Sequence, residues 1–114
     1  MARQAKDTDF VEKVEGVGTF TFGRRTMRDE IAVQVEYARL IDGVEPTEWL
    51  ALVCGWLAAL RVMTVRAPDG WNLDELDPYD NDSYANLNRV YNALHEKELS
   101  FRRKPEPASQ ASGA

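Results

Sequence analysis

The chain has one cysteine, Cys54, and one histidine, His95, in 114 residues. A lone cysteine excludes an internal disulfide and fits a reducing compartment. A lone histidine with no identifiable serine or cysteine partner supports no nucleophilic triad. His95 instead falls near the polar border of the last predicted helix, close to an end that tolerates positive charge. Long apolar runs are missing too. The most hydrophobic stretch, WLALVCGWLAALRVMTV, is uninterrupted only from Trp49 to Leu60. Arg61 then breaks it, with Glu45, Glu48 and Arg66 close by. It is too short for the roughly 20 apolar residues of a membrane helix and has no one-sided positive flank. The opening MARQAKDTDF has no apolar segment behind its basic residues, which predicts no secretory signal.

An excess of positive charge is also absent. Lys and Arg number 14 against 19 Asp and Glu, a net charge of −5. That balance gives no electrostatic basis for gripping nucleic-acid phosphates. No glycine-rich loop accompanies Arg24, Arg25 and Arg28, so they read as a solvated basic edge or as partners for the acidic loop. The run Asp69, Asp74, Glu75, Asp77, Asp80, Asp82 lacks the spacing, glycine and closing glutamate of a calcium loop. Several of these aspartates read better as turn formers and as a helix cap. No catalytic, cofactor or metal-ligating set emerges, and the chain reads as a non-enzyme.

What is present is 44% hydrophobic and 29% charged, enough for one small globular domain. FVEKVE and TFTFG alternate around Gly16 and Gly18, which predicts a β-hairpin whose bulk comes from Phe10, Val11, Val14, Phe20 and Phe22. Thr26 is the expected cap of a helix that runs to about Asp42 and stops at Gly43. Thr47 caps a second helix, and the third starts near Asn81 or Asp82 and ends near Ser100. That third helix carries Tyr84, Leu87, Val90, Tyr91 and Leu94 on one face. Between them, Trp71, Leu73 and Leu76 are expected to pin a turn-rich loop. Met63 to Val65 reads equally as helix or short strand. The fold class is α+β: an N-terminal hairpin on a small, mainly helical three-helix body. The predicted divisions are a flexible 1–9, a single domain over 10–101 and a disordered tail over 102–114.

Two helices are unusually apolar. In the first, Met27, Ile31, Val35, Ala38 and Ile41 share one face, while Val33, Tyr37 and Leu40 form a second beside it. This arc is wider than the roughly 100° that a surface helix buries. It fits either burial on two sides or a face that receives a partner. In the second helix, Trp49, Leu52, Val53, Trp56, Leu57, Leu60 and Met63 make a bulky side. Ala51, Cys54, Gly55, Ala58 and Ala59 make a small side that another backbone can approach closely. Cys54 reads as a packed small hydrophobe.

The segments FTFGRRTMRDEIAVQVEYARL, GVEPTEWLALVCGWLAALRVMTV, APDGW and LDPYD, spanning 19–80, resemble the small tail assembly chaperones of long-tailed bacteriophages and prophages. The resemblance implies a non-catalytic protein without cofactors. Such a protein binds the tape measure protein, keeps it soluble while the tail tube polymerises, and leaves as the tube grows. It further implies a homo-oligomer, a frameshifted longer form, residence in the host bacterial cytoplasm and absence from the mature virion. No nucleic-acid or membrane partner is expected. The alternative is a structural tail or connector protein retained in the virion. No binding residue carries over from the family. Within the wide arc, Val33, Tyr37 and Leu40 are where a client or a second copy is expected, with Trp49, Trp56 and Leu60 assigned to the core.

Overall fold

In the computed structural model, which describes residues 3–102, the hairpin forms from β1 (Phe10–Val14) and β2 (Gly18–Phe22). The strands pair antiparallel from Phe10 opposite Phe22 to Val14 opposite Gly18. Gly16 takes φ +81° in the turn, a conformation that side chains resist. Alternation puts Phe20 and Phe22 into the core and Thr19 and Thr21 away from it. Val11 departs from the expectation: the pleat that turns Phe10 and Val14 inward points Val11 to solvent.

The ambiguous 63–65 stretch divides. Helix α2 (Glu48–Met63) ends at Met63, and β3 (Thr64–Arg66) adds a third, antiparallel strand beside β2. The hairpin is therefore part of a three-stranded sheet, joined to α2 without a loop. A two-stranded hairpin alone is marginal, and β3 supplies the pairing it lacks. The Gly23 N–H extends this tie to the Met63 carbonyl at 2.9 Å.

Helix α1 (Met27–Leu40) opens with a full capping box. Thr26 Oγ1 accepts the Asp29 N–H at 3.1 Å, and the Asp29 carboxylate accepts the Thr26 N–H at 2.9 Å. It ends two residues earlier than predicted, and Gly43 at φ +75° reverses the chain beyond it. α2 opens on Thr47, whose Oγ1 accepts the Leu50 N–H at 3.1 Å. Helix α3 (Asn81–Arg102) is held at its start by Asp80, whose carboxylate accepts the Ser83 N–H and Oγ–H.

The core lies where the sheet meets α2 and α3. Phe20, Phe22, Leu60, Met63, Val90 and Leu94 are its fully buried members. Trp71 meets the Phe20 ring edge-on at 5.3 Å and pins the loop, with Leu73 and Leu76 beside it, as expected. α1 packs on the opposite side of α2, through Val33 against Ala58 and Ala59.

Near the N-terminus, Arg3 makes a two-pronged ion pair with Asp29 at 2.8 and 3.2 Å, with both side chains largely buried, while residues 4–8 are exposed. A Cβ on Gly23 would fall 2.2 Å from the Arg3 guanidinium, so this strap needs glycine there. At the other end, Arg102 is helical as the last residue of α3. The remainder of the predicted tail, 103–114, lies outside the described residues.

Candidate functional site

The two apolar rows of α1 have opposite fates. The small side of α2 lets α1 approach closely, and the row that enters is Val33, Tyr37 and Leu40. Val33 is only 8% exposed against Ala58 and Ala59, and Tyr37 and Leu40 pack around the same contact. A partner expected at this row would find Val33 already covered, with Tyr37 and Leu40 still partly open. Val33 is sealed within its own domain, Tyr37 is half-buried, and Leu40 alone borders a surface cavity. The open row is the other one. Met27 is 79% exposed, Ile31 65% and Val35 63%. With Ala38 they form a stripe at helical spacing along the outer side of α1, flanked by Glu30 and Gln34. Covering such side chains fully is worth roughly 1.5–3 kcal/mol each.

A second apolar surface opens at the first half of α2. Trp49 was expected in the core, yet it is 44% exposed, and Leu52 is half-exposed. Trp49 stands in the first turn of α2, where the chain has only just entered the body, and its indole stacks on Tyr84 of α3 at 6.3 Å. From there an aromatic ladder passes from Tyr84 into the core at Trp56 and out again through half-buried Tyr91 to exposed His95, each ring centroid 5.6–5.9 Å from the next. Trp56 and Leu60 are core residues, as assigned. Beneath Trp49, α2, α3 and the loop over 73–78 enclose a groove of about 360 Å³ with a mainly apolar lining. Tyr79, just after this loop, projects almost entirely into solvent at 95% exposed.

The charged groups are largely structural. Arg25 joins Glu30 at 2.7 Å and Glu98 at 2.9 Å, linking the strand-to-helix corner to α3 rather than to the acidic loop. Arg24 lies over the Phe101 ring at 3.8 Å. Arg61 is the arginine that meets the acidic loop, between Asp74 and Glu36. A hydrogen bond from Arg39 holds the Glu36 carboxyl below its ordinary range, helped by the Arg39 and Arg61 charges. Burial raises the Cys54 thiol pKa, which suits a packed hydrophobe rather than a nucleophile. Among the described residues, no group of three or more His, Cys, Asp or Glu gathers as a metal site, and no helix is long and apolar enough to cross a membrane.

Sequence reasoning found the wide arc on α1 but not which row would close. Two apolar rows of similar width look alike on a helical wheel, and only the position of α2 separates them. It missed the groove because one wall comes from α2 and the other from the loop that runs into α3, two stretches that only the fold brings together. The comparisons add no relative from which a site could be transferred: no family model matches the chain, nor does any curated protein or solved structure.

Proposed function

We propose that this protein is a non-catalytic assembly chaperone, of the kind that coats the tape measure protein of a phage tail and keeps it soluble. One observation carries the reading: large apolar side chains stand free of the core on two sides of an otherwise acidic body. Met27, Ile31 and Val35 lie on one side, and Trp49, Leu52 and Tyr79 are the exposed hydrophobics of the groove end. Contiguous exposed apolar surface marks interaction sites in soluble proteins. A helical client with repeated apolar segments suits such a surface, because many copies can bind side by side along it. The net charge of −5 keeps the coated complex soluble. The texture of 19–80 points the same way.

The test is co-expression with tape measure fragments from the same genome, followed by size-exclusion chromatography with light scattering. The expected result is a soluble complex with several copies of this chain per fragment. Ile31→Asp or Val35→Asp, which add charge to an exposed stripe, should leave a folded chain that no longer holds the fragment in solution. Insoluble fragments beside a lone monomer would contradict the reading.

A further inference from the structure

The groove between α2 and α3 combines an apolar floor with a rim of one charge, and together these specify an occupant. Leu50, Val53, Leu57, Leu73, Leu76 and Leu87 line it, with Trp49 and Tyr84 stacked at its mouth. An adjoining recess of about 440 Å³ runs from that mouth past Pro78 and the fully projecting Tyr79. The rim is acidic. Asp74 and Asp77 border the groove, Glu75, Asp80 and Asp82 follow in the same stretch of chain, and Glu45 and Glu48 precede Trp49. The single cation in the lining, Arg61, is engaged by Glu36 at 3.0 Å and by Asp74. The two helix starts add only about half a positive charge each.

Phosphate backbones and anionic lipid surfaces are repelled by such a rim. The walls are helices and a loop, with no strand of the sheet lining the groove, so an added β-strand has no edge to pair with. A helix laid between two helices fits instead, with apolar anchors at intervals of three and four residues. We propose that this groove docks a basic amphipathic helix of a partner protein. Its apolar face sits on the half-buried Leu50, Leu57 and Leu76, and its Lys or Arg residues lie against the carboxylates of 74–82. Tyr79 and Trp49 close over it as aromatic anchors. The inference rests on the chaperone reading only for the source of that helix, a basic segment of the client.

The probe is a synthetic peptide of about 18 residues, five helical turns, with Leu on one face and Lys on the other. Its counterpart carries Glu in place of Lys. Each is titrated into the full chain while the indole N–H signals of the three tryptophans are followed by NMR. The Lys peptide should shift the Trp49 signal, and its affinity should fall about tenfold between roughly 50 and 300 mM salt. Trp49→Ala, or Asp74→Asn with Asp77→Asn, should weaken it at least about fivefold, while Val11→Asp on the exposed side of β1 leaves it unchanged. Equal binding of the Glu peptide, indifference to the Asn pair, or no binding would overturn the proposal. So would light scattering that shows a second copy of this chain already filling the groove. The two readings fail separately. Failure of the Lys peptide to bind while client fragments are still held in solution would sink the groove proposal alone. Peptide docking without any client held would sink the chaperone reading alone.

Discussion

Arg3, Asp29 and Gly23 form a contact that no local pattern announces. The Asp29 carboxyl is held down to about 2 from 3.8, chiefly by its hydrogen bonds from Arg3 and then by the Thr26 N–H. The folded value is the lower one, so folding gains from the ionised carboxylate. That gain is complete above the ordinary value and disappears as pH falls from about 4 through 2. After allowance for screening it is on the order of 1–2 kcal/mol. Thermal midpoints recorded between pH 5 and 2 should therefore fall less steeply for Asp29→Asn than for the native chain. A Cβ at Gly23 would displace the flexible guanidinium rather than backbone. Gly23→Ala should thus remove the same ion pair that Arg3→Ala removes. Denaturant unfolding of both single variants and the double variant should show strong non-additivity, the pair costing little more than either alone.

At the scale of elements, α2 organises the molecule because its two sides differ in size. Its bulky side fills the core with Trp56, Leu60 and Met63, and its small side admits α1 at Ala58 and Ala59. Ala58 is fully buried. Ala58→Leu should cost about 1–3 kcal/mol by overpacking, and Trp56→Ala about 3–5 kcal/mol by leaving a cavity, both measurable by urea unfolding. Gly55 behaves differently from its neighbours. Although it lies on the small side, a Cβ there would meet nothing within 4 Å. Gly55→Ala should accordingly raise stability by about 0.5–1 kcal/mol, since a mid-helix glycine carries an entropic cost that no contact requires.

The helices, their Thr26 and Thr47 caps and the α+β class were legible because each rests on local spacing. The hairpin was legible for the same reason. β3 was half-legible: Thr64 and Val65 favour a strand, but only the free edge of β2 decides it. The outward side of α1, the exposure of Trp49 and the anchoring of Arg3 were not legible. Each depends on where a distant segment lies, and helical projection is silent about that.

For the whole molecule, an acidic body with a sealed core presents apolar side chains at two separate places, the α1 stripe and the groove mouth. Covering Met27, Ile31 and Val35 together offers several kcal/mol of association energy, of order 5 if burial is complete. That is enough to favour repeated weak binding along a client and weak enough for release. The most direct measurement is a methyl NMR spectrum of the full chain, alone and with a tape measure fragment. The account predicts shifts confined to Met27, Ile31, Val35 and the groove leucines, with Met63, Val90 and Leu94 unmoved. Shifts centred on those core methyls, or none at all at the stripe, would contradict it.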